Sequence, residues 1–222
     1  MANKTQKTNT QQRDKIVTAY IDYVLTEGKD PASIYAFAKQ LKLSEPEFYS
    51  HFVQFKDIDL HIWTEAIDST IETLKNSEEF ENYSSREKIL GLFYTLIVAL
   101  NQNRSYFIYS IEHRKPLFKN NDGIKSKITE FAKEVIQEGL SGNEIEDRKF
   151  ISDRYHEAVW MNTLFILNFW MEDDSKEFAK TDAAIEKSVN LIMELMGKSA
   201  LDSILDLGKF LVQNKSKSVF KM

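Results

Sequence analysis

The sequence predicts an all-α fold, and three observations carry that expectation. Glycine and proline together number 10 of 222 residues, about 4.5% against roughly 12% on average, so loop-rich, collagen-like and short-strand all-β classes are excluded. Apolar residues recur at spacings of three and four over long stretches, which is the helical period. Gly28, Gly123, Gly139, Gly142, Gly197 and Gly208 lie at or near the ends of those stretches, where helices stop. At this length one or two domains are expected, and a compact chain buries roughly 70% of its unfolded surface.

Each element has its own justification. Ile16, Ala19, Tyr20, Tyr23 and Val24 share one face, predicting a first helix over 13–27 that Gly28 ends. Ser33 is a natural N-cap for a short second helix carrying Ile34, Phe37, Ala38 and Leu41. A tight turn, Lys42-Leu43-Ser44, follows. Ser44, Pro46 and Glu47 then form a capping box with proline in the first turn, opening a third helix that carries Phe48, Tyr49 and Phe52. After a break near 53–55, a longer helix with Ile58, Ile62, Trp63, Ala66, Ile67, Ile71 and Leu74 on its inner side runs to about Asn76. Beyond the polar segment 77–85, helices are expected at 85–102, 104–113, 122–138, 146–171, 181–196 and 199–212, about nine to ten in all.

Composition narrows the function classes. No cysteine is present, which removes disulfide frameworks, thiol nucleophiles and Cys-based metal sites. The longest apolar runs, 92–100 and 158–171, fall short of the 18 or so residues a spanning helix needs, and the polar start 1–12 lacks an apolar signal region. A soluble, cytoplasmic protein with no membrane span is expected. The net charge of −5 argues at first against nucleic acid, yet residues 1–60 hold 8 basic and 8 acidic side chains, while residues 61–222 hold 21 and 26. Only the first fifteen residues are locally basic, with Lys4, Lys7, Arg13 and Lys15 against Asp14.

Enzyme signatures are missing. His156-Glu157 is followed by Ala158, Val159 and Trp160, so the second histidine of a zincin helix is not there. Asp153 and His156 have half the spacing of a di-iron motif, with no second pair to complete it. Neither a nucleophile elbow nor a phosphate-binding loop occurs. No catalytic residue, metal or cofactor is expected.

The second and third helices, separated by a three- or four-residue turn, form a helix-turn-helix, whose second member can lie in a DNA major groove. The string Gly28, Ser33, Phe37-Ala38, Leu43-Ser44 and Tyr49-Ser50-His51-Phe52 resembles, in register, the N-terminal domain of the TetR family of bacterial transcriptional repressors. The resemblance implies a DNA-binding module over 1–56 and a larger helical ligand-binding and dimerisation domain over 57–222. Carried across, it sets Ser33, Tyr49 and His51 near phosphates and Ser44, Glu45, Glu47 and Ser50 toward the groove. Lys4, Lys7, Lys15, Lys42 and Lys56 are the cations available for a positive stripe beside them, with Lys15 and Lys56 counted among the expected contacts. Three positions depart from the family pattern. Lys42 stands where the turn usually has glycine, Glu45 and Glu47 put carboxylates at the start of the recognition helix, and Phe55 takes the place of a backbone-touching lysine, leaving Lys56 one step later.

The mechanism the resemblance implies is mechanical: a small molecule in the C-terminal domain shifts the helix near 57–76 and changes the separation of two recognition helices, releasing a repressor from its double-stranded operator. A second stretch, FWMEDDSKEFAKTDAAIEKSV from Phe169, looks like the end of the ubiquinone-biosynthesis lipid-binding proteins of the same fold, through Asp174-Ser175, Phe178 and Thr181. That likeness implies the alternative of a lipid- or isoprenoid-binding accessory protein without DNA binding.

Two further sets come from the residues themselves. The aromatic cluster Phe93, Tyr94, Tyr106, Phe107, Tyr109, Phe131, Trp160 and Phe165 exceeds what a bundle needs for packing and is expected to line a pocket for a small apolar or aromatic ligand. Val159, Leu164, Leu167 and Trp170 on one late helix, and Ile185, Val189, Ile192 and Met196 on the next, leave apolar surface beyond one face and are expected to form a two-fold, four-helix homodimer interface.

Overall fold

A computed structural model describes residues 2–113, 123–148 and 151–197, with residues 2–8 by backbone alone. Among the described residues there are nine α-helices and no strand. They are α1 (Ala2–Glu27), α2 (Ile34–Gln40), α3 (Glu45–Tyr49), α4 (Phe55–Lys75), α5 (Ser85–Asn101), α6 (Arg104–His113), α7 (Ile124–Ser141), α8 (Tyr155–Glu172) and α9 (Ala179–Met196). The helix expected over 199–212 lies outside the described residues.

Helix α3 ends at Tyr49, so Phe52 lies beyond it, α7 runs on past 138 to Ser141, and two larger boundary differences have physical reasons. Helix α1 begins at Ala2 rather than 13, so the polar arm continues the helix where no apolar stripe signalled one. Residues 146–148 and 151–154 do not extend α8, and Ser152–Arg154 form a 3-10 turn before it. The first of these segments has other work, since Arg148, buried, reaches the far end of α9.

The chain divides into two compact units, residues 1–70 with 96–127 and residues 71–95 with 128–222. In the first, Ile16, Tyr20 and Val24 of α1 recur every four residues and are fully buried. Phe37 of α2 meets Tyr20, Tyr23, Phe48 and Phe55 edge-on, and Tyr20 stacks on Phe55 with centroids 5.7 Å apart. Each such pair adds about 0.5–1.5 kcal/mol beyond burial, so the ring at position 55 serves the core. Asp59, buried on α4, accepts from the hydroxyls of Tyr20 at 3.1 Å and Tyr106 at 2.6 Å, tying α1 and α6 to α4. Trp63 Nε1 donates to Ser110 Oγ at 2.9 Å, which satisfies the polar end of a buried indole.

In the second unit α8 and α9 pack along their length. Their turn is held by Asp173, only 6% exposed, which accepts from the amide and hydroxyl of Ser175 and from the amide and hydroxyl of Thr181, all between 2.6 and 2.8 Å. Burial opposes ionisation of this carboxyl, but these hydrogen bonds outweigh it and hold the group well below the usual carboxylate range. At the other end of α9, Arg148 donates to the carbonyls of Leu195 and Met196 and to Gly197, and also to the Tyr155 hydroxyl, satisfying carbonyls the helix leaves open.

Candidate nucleic-acid interface

The helix-turn-helix is built from local rules. Ser33, extended at φ −161°, accepts the Ala36 amide at 3.1 Å and opens α2. The helix closes with the Leu43 amide on the Ala38 carbonyl at 2.9 Å and the Lys42 amide on that of Lys39 at 3.1 Å, the pair of bonds of a Schellman motif. That motif requires a left-handed residue between them, and Lys42 takes it at φ 60°. For a side chain other than glycine this costs about 1–2 kcal/mol. Helix α1 ends on the same conformation at Gly28, φ 66°, where it is free of that cost. Lys15 Nζ donates to the Leu41 carbonyl at 3.0 Å and braces the turn from α1.

Ser44 then opens α3 with the full capping box. Its hydroxyl accepts the Glu47 amide, and Glu47 Oε2 accepts from the Ser44 amide and hydroxyl at 2.7 Å each. The Ser44 hydroxyl first, and its amide second, hold the Glu47 carboxyl below the usual range. Glu47 is thus engaged within the module instead of projecting freely. The Ser50 hydroxyl donates to the Glu47 carbonyl at 2.7 Å. Asp57 accepts from the amides of Val53 and Gln54 and fixes the entry to α4.

Of the nine expected DNA-facing residues, Lys15, Ser33, Ser44, Glu47, Ser50 and Lys56 are exposed, Tyr49 is 47% exposed, and Glu45 and His51 are half-buried. His51 Nε2 is buried without a hydrogen-bond partner. Burial, and secondarily the Arg13 charge, push the His51 imidazole below its ordinary value, so at neutral pH it is uncharged. Among the described residues, Arg13, Lys29, Lys39, Lys42 and Lys56 form no ion pair. Lys39 instead lies over the ring of Tyr35, 5.9 Å from its centroid. Tyr35 and Lys39 are not among the expected contacts, although their spacing of four puts both on one exposed face of α2.

The aromatic set falls in both units. In the first, Tyr106, Phe107 and Tyr109 are buried, with Phe107 edge-on to Trp63 at 4.8 Å and Tyr109 stacked on His113 at 4.3 Å. In the second, Phe93, Phe131 and Trp160 are buried and Tyr94 is half-buried, its phenol pushed up by burial and then by Glu186 and Asp182. Phe165 is 49% exposed and, with Phe169, forms one wall of an apolar groove of about 530 Å³ whose other wall is Ala183, Ala184, Lys187 and Leu191 of α9.

The eight residues expected at a dimer interface divide similarly. Val159, Leu167, Trp170, Ile185, Val189 and Met196 are buried within the chain, and Leu164 and Ile192 are half-buried. Their burial accompanies the packing of α8 on α9. The face left to solvent carries Met161, Phe165, Leu191 and Leu195. Asp153 and His156 line a polar cleft with Lys133 and Gln137, and among the described residues no group of three His, Asp or Glu could hold a metal ion. Among those residues no helix is long and apolar enough to cross a membrane.

An all-helical chain with this element order and a capped helix-turn-helix near its start defines the TetR-like class of fold. Three solved structures share it: a TetR transcriptional regulator from Nitrosomonas europaea (18% identical, 81% of this chain and 96% of that one, TM-score 0.55); a regulatory protein of the tetR family from Rhodococcus RHA1 (13%, 85% and 98%, 0.56); and the regulator PfmR from Thermus thermophilus (13%, 83% and 99%, 0.52). No curated protein matches the sequence. Residues 88–211 match the family model for the tetracyclin repressor-like C-terminal domain, more than half of the chain. The chain belongs to the TetR family.

Proposed function

We propose that the protein is a ligand-responsive DNA-binding regulator, a homodimer in which residues 1–56 engage DNA and residues 57–222 bind a small apolar or aromatic molecule and dimerise. It acts in the cytoplasm as a repressor released from its operator by that molecule, and performs no catalysis. The observation that carries this reading is the α2–α3 helix-turn-helix, internally capped and with Ser33, Tyr49 and Ser50 left to solvent, in a chain of the TetR family.

Two recognition helices must lie about one DNA turn apart, roughly 34 Å, to engage two half-sites. A ligand releases the operator only if it prefers the other spacing. The exposed apolar face of α8 and α9, with Phe165, Met161, Leu191 and Leu195, is suited to a two-fold four-helix contact with a second copy. Footprinting is expected to reveal a palindromic site near the protein's own gene, and Tyr49→Ala to weaken binding there at least tenfold. Affinity no better than for random duplex at every sequence tested, unchanged by Tyr49→Ala, would sink the reading.

A further inference from the structure

The caps of α1 and α2 share a geometry and differ in chemistry. Gly28 and Lys42 both close a helix in the left-handed region, which glycine adopts freely and a β-carbon resists. The Schellman hydrogen bonds pair the backbone at this turn, but no contact within the described chain uses the side chain of Lys42. Its side chain is exposed, and its ammonium forms no ion pair and no hydrogen bond. A left-handed lysine where glycine would close the same turn without strain, its side chain unused inside the chain, points to an interaction with something outside it.

The surroundings specify what that is. Lys42 lies two residues before Ser44, the cap of the recognition helix, and directly follows the end of α2, on which the exposed Tyr35 and Lys39 stand four residues apart. Tyr35 is 58% exposed with the Lys39 ammonium above its ring. An unpaired cationic stripe beside a recognition helix is suited to nucleic-acid phosphates, which bind lysine as a point charge irrespective of sequence. The cation that would otherwise flank this turn, Lys15, is spent on the Leu41 carbonyl.

We propose that Lys42 is a DNA-phosphate contact held in a left-handed conformation at the α2–α3 turn, with Lys39 and Tyr35 extending that contact along α2. This rests on the DNA-binding reading above and adds residues that reading does not include. The full-length protein is titrated with a labelled random-sequence duplex across a salt series, alongside Lys42→Gly, Lys42→Gln and Lys42→Arg.

Relief of strain in Lys42→Gly raises the thermal midpoint by about 2–4 °C while weakening DNA binding. Lys42→Gln leaves the midpoint unchanged and weakens binding equally. Both flatten the slope of log affinity against log salt by about 0.9 for each subunit's lost phosphate contact, about 1.8 for the homodimer, and Lys42→Arg restores the parent's slope. A Lys42→Gly or Lys42→Gln protein with the parent's affinity and slope overturns the proposal. A parent that binds no duplex even at low salt overturns the DNA-binding reading and this proposal with it, so the parent's own curve tells the two failures apart.

Discussion

The helix-turn-helix and the α8–α9 pair leave opposite kinds of surface unsatisfied. From residue 9 to 60 no described lysine or arginine has a carboxylate partner, while the large apolar side chains other than Tyr35, Tyr49, Val53 and Leu25 are at least half-buried. In α8, α9 and their connection the balance shifts. Lys180 pairs with Asp174 and Lys176 with Glu177, leaving Lys187 the one unpaired lysine among the described residues there, while Met161, Phe165, Leu191 and Leu195 face solvent. Free charge without apolar area attracts a polyanion at long range and weakly per contact, whereas apolar area without free charge gains about 25 cal/mol for each Å² removed from water and draws a protein surface. One chain thus advertises two partners by what each region fails to complete internally.

The strongest way to break that contrast is to put charge on the apolar face. Phe165→Asp combined with Leu191→Asp is expected to weaken self-association about 1000-fold or more, since each side chain contributes roughly 1.5–3 kcal/mol when fully buried. Sedimentation should then report a monomer, and an unchanged mass would remove this face from any dimer contact.

Next in size is Asp173→Ala, which strips two amides and two hydroxyls of their acceptor in the α8–α9 turn and is expected to cost about 2–3 kcal/mol in urea unfolding. Because the folded carboxyl ionises more readily than the unfolded one, its contribution is complete above about pH 3.8 and fades as pH falls below it. The parent should therefore lose stability on acidification in a way the variant does not.

The smallest effect lies in the charged module. Ser44→Ala removes the α3 cap and should cost about 1 kcal/mol, with DNA affinity falling further than stability does. Glu47 shares that cap and has a lowered ionisation range, so the stabilisation it gives is present above about pH 4.5 and lost as pH falls. A cap variant whose stability no longer responds over that acid range would assign the dependence to this pair.

Elements defined by local chemistry were legible in the sequence. Ser33 and Ser44 as caps, Gly28 as a stop, and the limits of α5 and α6 follow from side chains acting within a few residues of themselves. Features set by distant partners were not. No periodicity reveals that Lys15 reaches a carbonyl 26 positions away or that Arg148 belongs to the end of α9. Which face of α8 turns inward is not legible because the helix is apolar nearly all round, so Val159 and Trp170 look as available as Phe165 until packing assigns them. Lys42 was visible as an anomaly, and only its backbone conformation showed that the anomaly is strained.

The Arg148 guanidinium has a mechanical consequence for α9. It grips successive carbonyls at Leu195, Met196 and Gly197 and is itself anchored on Tyr155, the first residue of α8. Sliding α9 by one turn, about 5.4 Å, would break every one of these bonds at once, whereas a small rotation about that end stretches them only slightly. The far end is clasped by Asp173 across the short connection, so the pair resists shear at both ends. Any rearrangement this region undergoes must therefore proceed by tilting the two helices as a rigid lever, not by ratcheting one past the other.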